Sequence, residues 1–302
     1  MMGQRQRSAY GGSAMMRALL LSLSLPAPLR AQLAADPTRI EQPQKIGVGT
    51  WPVYGQDRMI EDVDALGAHW FYSWKDSGEV VDARHVPMVW GRNDRLDRAV
   101  PVLLGFNEPD ESQQAAMSVK QAIHQWPKLM ASGERLSSPA TSRPGTLGPR
   151  SWLGKFMTEA DRRGYRVDFI AVHYYATNRD IGEFKRFLEA VHARYGRPIW
   201  VTEWALADWH HRDRFTVAQQ RAFLEAGVQM MDDLPFVERH AWFGSYASLG
   251  GAHINSELVD PAGGLTAIGE TFRAAAGAML VSPICDAASG APADATSPPA
   301  TC

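Results

Sequence analysis

Two glutamates in this chain each close an apolar run, and residue type alone already suggests what they could do there. One run ends Gly105-Phe106-Asn107-Glu108-Pro109-Asp110, the other Trp200-Val201-Thr202-Glu203-Trp204-Ala205. A Glu directly after a hydrophobic strand is a poor surface ion-pair candidate, and two such placements are poorer still. If the two strands face each other across a barrel mouth, the carboxylates oppose one another over a cleft. Carboxyl groups about 5–5.5 Å apart suit retaining glycoside hydrolysis, in which one attacks the anomeric carbon and the other protonates the leaving oxygen. The acid must stay protonated near neutral pH, which needs a partly desolvated site or a nearby negative charge. Asn107, beside Glu108, has the donors to hold a sugar 2-hydroxyl.

The elements that would carry these groups alternate along the chain. Short apolar runs occur at 46–51, 69–74, 85–91, 101–107, 136–140, 167–174, 198–203 and 239–245. Several lack polar alternation, as Val102-Leu103-Leu104-Gly105-Phe106 shows, which is how parallel strands buried on both faces read. Between them lie helical patterns. Ile181, Phe184, Phe187, Leu188, Val191 and Tyr195 follow the i, i+3, i+4, i+7 rule and stop at Gly196. Thr216 and Gln219 form a capping box ahead of Phe223, Leu224 and Val228. Eight runs in alternation predict an α/β fold, a (β/α)₈ TIM barrel, for which roughly 250 residues is typical. The run at 85–91 is followed by little helical pattern, so the barrel is expected to be shortened or degenerate around its third βα unit. The barrel is expected over 44–280.

Composition narrows the function classes. The chain has 302 residues and a formal net charge of −2, with its arginines scattered rather than clustered. A nucleic-acid binder would show a basic stripe, and none is present. No H-E-x-x-H or strand-end H-x-H occurs, and His210-His211 lacks ligand spacing, so no metal and no other cofactor is expected. Only Lys75 comes near a strand end as a Schiff-base lysine, and with Asp76 it reads by default as a solvated ion pair. No G-x-S-x-G elbow or G-x-G-x-x-G after the first strand appears. The ten Trp exceed what packing usually requires.

The ends read differently. Arg17, the apolar run 18–25, two prolines and a small-residue zone at 31–35 suggest an export signal within residues 1–35, without a clean cleavage motif. The run is shorter than the ~20 residues a bilayer span needs, so a secreted or periplasmic protein without stable membrane insertion is expected. Cys285 and Cys302 can pair in an oxidising compartment, and the Pro/Ala/Ser/Thr-rich segment between them gives residues 286–302 the composition of a flexible tail.

An ordered set of motifs carries a more specific resemblance. It comprises Gly47-Val48-Gly49-Thr50-Trp51, Phe71-Tyr72-Ser73-Trp74, Pro87-Met88-Val89-Trp90-Gly91, Asn107-Glu108-Pro109-Asp110, Ser138-Pro139-Ala140, Val172-His173-Tyr174-Tyr175, Thr202-Glu203-Trp204 and Ala241-Trp242-Phe243. In that order, across about residues 46–275, the chain resembles glycoside hydrolase family 128 of clan A, whose members mostly cleave β-1,3-glucan. The resemblance implies Glu108 as acid/base, Glu203 as nucleophile, a β-glucan polysaccharide or oligosaccharide as partner, and a shortened barrel. The family spans endo-acting, exo-acting and oligosaccharide-binding members, so a non-catalytic glucan-binding protein is the rival reading, and the motifs do not choose among these modes. A monomer is expected.

The resemblance also gives the aromatic strand ends a use. Sugar C–H faces stack on indole planes, so Trp74, Trp90 and Trp242 are expected to line subsites, whereas Trp51 and Trp204 suit subsite or core equally. Trp200 reads as core, and Trp209 lies in a polar loop where it can form a rim platform. Tyr174 is expected to orient Glu203, and His173 fits either the sugar site or the core.

Overall fold

A computed structural model of the chain describes residues 45–74, 82–247 and 254–278. The segment 1–35, Lys75, Asp76, Cys285, Cys302 and the tail 286–302 lie outside these residues. Strands and helices alternate as β1 (Ile46–Gly49), α1 (Gln56–Leu66), β2 (Trp70–Tyr72), β3 (Val100–Leu103), α2 (Val119–Ser132), β4 (Gly133–Leu136), α3 (Arg143–Thr146), α4 (Trp152–Arg162), β5 (Ile170–Ala176), α5 (Ile181–Tyr195), β6 (Ile199–Leu206), α6 (Val217–Asp232), β7 (Val237–Phe243) and α7 (Ala267–Ala278). Among the described residues no helix is long and apolar enough to cross a membrane.

Every pairing between the strands is parallel. Five strands run β2-β1-β7-β6-β5, and β3 pairs with β4. Single parallel bridges join the two groups: Phe71 to His85 and Met88 to Leu104 on one side, Ser137 to Phe169 and Thr141 to Val172 on the other. Each β unit thus has a parallel neighbour on both sides, the pairing of a (β/α) barrel. The expected third strand, 85–91, exists only as those isolated bridges, and no helix lies between Gly91 and Val100. The missing helical pattern had pointed to this thinning. The expected strand at 136–140 is likewise reduced, with β4 starting directly after α2 and only bridges continuing it.

The helices begin and end where their local chemistry dictates. Thr216 and Gln219 exchange side-chain and backbone bonds at the start of α6, Asp180 caps α5 by accepting from Glu183 N, and Gly196 ends it with φ 61°. Phe184, Leu188 and Val191 form the stripe that α5 buries.

Inside the ring, Trp200 stacks on Phe169 at 4.4 Å and packs on Trp70 at 5.1 Å, with the Arg239 guanidinium 4.5 Å from the Trp200 ring centre. This aromatic layer fills the barrel below the strand ends, and it confirms Trp200 as core. β1 contributes glycines where indoles come closest: a Cβ on Gly47 would stand 2.4 Å from Trp70, and one on Gly49 2.7 Å from Trp74. Bulk at Gly49 would therefore displace Trp74.

One irregularity decides which way Glu203 points. The β5–β6 register passes from Val172 opposite Val201 to His173 opposite Glu203, leaving Thr202 as an extra residue. Strict alternation from the inward Trp200 would put Glu203 on the helix side with Val201. The bulge turns it inward and sends Trp204 outward onto Phe223 and Gly227.

Candidate active site

Glu203 leaves β6 into a collar of donors. Trp74 Nε1 donates to its Oε1 at 2.8 Å and Tyr175 OH to Oε2 at 2.6 Å, while Tyr72 OH, which donates to Thr202 O at 2.8 Å, stands 3.4 Å from Oε1. The residue is only 5% exposed. These groups come from two parts of the ring: Tyr72 ends β2 and Trp74 follows it, while Tyr175 is on β5.

Glu108 sits beyond the end of β3, its backbone N–H bonded to Ala140 O at 2.7 Å and its φ at 38°. Trp74 has φ 54°. Left-handed backbone in a residue with a Cβ costs about 1–3 kcal/mol, and such strain concentrates where side-chain direction matters more than stability. Both strained residues aim a side chain at one centre. His173, 1% exposed, stands between the two carboxylates, with Nδ1 2.8 Å from Glu108 Oε1 and Nε2 3.4 Å from Glu203 Oε1. One oxygen of Glu108, one ring nitrogen of His173 and one oxygen of Glu203 all lie within 4.8 Å of each other. Nearest oxygens within that distance fit the about 5–5.5 Å between the carboxyl groups of retaining glycosidases better than the roughly 6.5–9.5 Å that admits an intervening water.

Burial pushes the Glu203 carboxyl above its usual range and the charge of Glu108 adds to this, while His173 and the bonds from Tyr175 and Trp74 pull the other way. His173 shows the reverse balance: burial opposes its charge, but the carboxylates of Glu203 and Glu108, with Asp110 behind them, leave it raised. Burial, then the negative charge of Glu203, holds the hydroxyls of Tyr72 and Tyr175 far above their ordinary value, so both remain donors.

The Glu108–His173–Glu203 cluster has the atom types of a metal site, but its surroundings do not suit one. The Glu203 oxygens a cation would need already face N–H and O–H hydrogens, and His173 Nδ1 is engaged by Glu108. This donor collar is built to hold negative charge without a cation.

The remaining sequence candidates divide. Asn107 is buried next to Glu108; its Nδ2 donates to Gln114 Oε1 at 3.3 Å, and its Oδ1 has no hydrogen-bond partner among the described residues. Trp51 is half-buried, edge-on to Trp74 at 5.7 Å, and Trp90 is half-buried with its carbonyl accepting from Asn107 N. Trp74 reaches the site as a hydrogen-bond donor at 9% exposure, so its indole grips the carboxylate instead of presenting an open platform.

Three expectations need correction. Tyr174 does not approach Glu203; it faces the helix layer, stacked on Phe184 at 3.9 Å beneath Arg143 at 4.7 Å. Trp204 is buried against the helices. Trp242 is fully buried, edge-on to Trp204 at 4.8 Å, and donates to Ser256 O. All three occupy the outer face of their strands, where helices cover them.

Tyr72 and Tyr175 are site residues that the sequence marks only weakly. The available signal was the period of two: His173 and Tyr175 share a strand face, as do Tyr72 and Trp74. Trp209, 44% exposed, packs edge-on to Tyr175 at 4.9 Å and so stands beside the carboxylate pair. Its loop is drawn together by Asp208, which accepts from the backbone N–H groups of His210 and His211 and from Arg214.

Comparison with known proteins agrees with this geometry. Residues 51–272 match the family described as glycosyl hydrolase catalytic core. A solved endo-β-1,3-glucanase of family 128, subgroup I, from Amycolatopsis mediterranei, in complex with laminarihexaose, is 36% identical, with TM-score 0.67 over 76% of this chain and 99% of that one. A subgroup VII oligosaccharide-binding protein from Trichoderma gamsii shares the fold at 21% identity, with TM-score 0.63 over 80% of this chain and 97% of that one. Alkali-sensitive linkage protein 1 of Schizosaccharomyces pombe is 28% identical over 68% of this chain, which spans only 40% of that relative's length.

Proposed function

The chain belongs to the glycosyl hydrolase catalytic core family and to glycoside hydrolase family 128, and from that premise we propose that it is a retaining endo-β-1,3-glucanase. The observation that carries the reading is the carboxylate pair, with oxygens of Glu108 and Glu203 within 4.8 Å of one another and of His173. At that spacing the second carboxylate reaches the anomeric carbon itself and leaves no room for a water between carbon and carboxylate, so direct attack and a glycosyl-enzyme follow.

Glu203 is the nucleophile. It is the more buried of the two, and Tyr175 and Trp74 each fix one of its oxygens, which holds a carboxylate in one orientation for attack. Glu108 is the acid/base. Its side chain is 15% exposed against 7% for Glu203, the openness a leaving group and then a water require. In the first half Glu203 bonds to the anomeric carbon while Glu108 gives its proton to the departing oxygen. In the second, Glu108 takes a proton from water, which displaces Glu203. Asn107 faces the sugar near the 2-hydroxyl, and Trp51, Trp90 and exposed Trp209 supply stacking faces along the chain. The laminari-oligosaccharide carried by the subgroup I relative supports a β-1,3-glucan substrate, and its endo action supports the same mode here. The pattern at 1–35 supports export to where such a polymer is met.

The test is digestion of laminari-oligosaccharides of defined length, followed by chromatography for chain length and proton NMR for the first anomer formed. The expected result is intermediate-length products released first as the β-anomer, with Glu203→Ala abolishing release. An α-anomer first would end the double-displacement reading. Tight binding without cleavage by the unaltered protein would establish instead a glucan-binding protein.

A further inference from the structure

We propose that His173 is a positioning residue that shares the proton of Glu108, so the acid's proton is held by a carboxyl–imidazole pair while the same ring steadies Glu203. This rests on the assignment of Glu108 and Glu203 made above. The ring is closed off from solvent, and its two nitrogens address the two carboxylates separately. Nδ1 is 2.8 Å from Glu108 Oε1, where either atom can donate. Nε2 is 3.4 Å from Glu203 Oε1, an ion-pair distance without hydrogen-bond alignment.

Two placements of one proton fit these distances. In the first, Glu108 is a carboxylic acid donating to Nδ1 of a neutral ring whose hydrogen is on Nε2, facing the ionised Glu203. In the second, Glu108 is ionised and the ring is an imidazolium. Passing between them breaks the O–H bond of Glu108 and forms N–H on Nδ1, with no other bond changed. Both forms carry one net negative charge and keep Nε2–H toward Glu203. The first form performs acid catalysis; the second stores the same proton on Nδ1, 2.8 Å from Glu108 Oε1 between heavy atoms.

The cycle balances with this device in place. When Glu108 protonates the leaving oxygen, Glu203 becomes an ester, and its pull on an imidazolium disappears. The ring then stays neutral, and Glu108 remains a free base for the incoming water. Release of the sugar regenerates the Glu203 carboxylate and returns one proton to the pair.

Few other groups face the ring. Tyr72 on β2 and Tyr175 on β5 surround the same carboxylates and stay protonated, and Asp110 is engaged by the backbone N–H and hydroxyl of Ser142. The groups of this centre that exchange protons during turnover are therefore Glu108 and His173, beside a Glu203 whose charge comes and goes with the ester. Interacting sites of this kind release their protons as a set, and a proton with two basic atoms to occupy is held more firmly than one with a single site.

The experiment is the pH dependence of kcat/KM on an unactivated laminari-oligosaccharide for the unaltered protein, His173→Gln and His173→Asn. The basic limb is expected to move to lower pH by about one unit or more in both variants. A fall in rate at every pH with the basic limb unmoved would overturn the proposal and leave the ring a merely structural role. Because the residue is buried and its variants can fail to fold, the ring is also read directly by ¹⁵N NMR in the unaltered protein and in Glu108→Gln. Protonated Nε2 throughout, with a titration step at Nδ1 that shifts in Glu108→Gln, is expected. A fixed tautomer with bare Nε2 would refute proton sharing. If the unaltered protein cleaves no glucan, the glycosidase reading fails, while the nitrogen titration still decides this one.

Discussion

Replacing Tyr175 by Phe deletes one oxygen and leaves its ring packed on Phe243 and Trp209, at 5.4 and 4.9 Å. The deleted hydroxyl donates to Glu203 Oε2 at 2.6 Å, inside a site where the carboxyl is 5% exposed. A hydrogen bond to a charged group contributes about 1.5–3 kcal/mol, and each 1.36 kcal/mol is a factor of ten in the ionisation equilibrium. The bond stabilises the ionised form over the neutral acid: burial pushes the Glu203 carboxyl up, and Tyr175 is among the groups pulling it back. Without it the carboxyl rises further, and the acid limb of kcat/KM moves to higher pH. On that limb the ionised fraction should fall roughly 10- to 150-fold. On the plateau, where Glu203 is ionised in both proteins, the loss should be much smaller, since the nucleophile sheds charge as it attacks. The assay is initial-rate hydrolysis of a laminari-oligosaccharide across the pH range, with stability checked by thermal melting. An equal loss at every pH, or an acid limb that stays in place, would refute the claim that this hydroxyl acts through the ionisation of Glu203.

Two further outcomes follow from other parts of the structure. Trp209→Ala should weaken binding of long laminari-oligosaccharides by on the order of 1 kcal/mol, severalfold in KM. A trisaccharide should be little affected, and equal KM changes for both lengths by steady-state kinetics would remove Trp209 from the rim. His240 on β7 is fully buried, and burial pulls its ring down to about 3 from 6.5. A folded value below the unfolded one means the unfolded chain binds the extra proton, so stability is lost as pH falls through this window, by roughly 2 kcal/mol at pH 5. His240→Leu should flatten that acid loss in urea unfolding at pH 5 and pH 8; a variant whose stability falls with pH as steeply as the parent's would contradict it.

Some of this molecule is written along the chain. Apolar runs without alternation, helical stripes with a capping box at Thr216, and the absent helix after 85–91 are local patterns, and they indicate the barrel and its thin third unit. Glu108 and Glu203 were visible for the same reason, as acidic residues ending apolar runs. Their mutual approach and the orientation of each neighbour were not. The extra residue Thr202 exists only in the pairing of β6 with β5, so the inward turn of Glu203 depends on a partner 30 residues away. Tyr174 and Tyr175 are chemically alike at adjacent positions, and only the strand's placement between core and helices gives one to Phe184 and the other to Glu203. The tryptophans divide likewise: composition shows that indoles are abundant, whereas packing decides that Trp74 holds a carboxylate, Trp242 fills the space behind β7 and Trp209 meets solvent. Residue type and local period are properties of one segment, whereas register and facing are properties of two, and a catalytic distance is a property of the second kind.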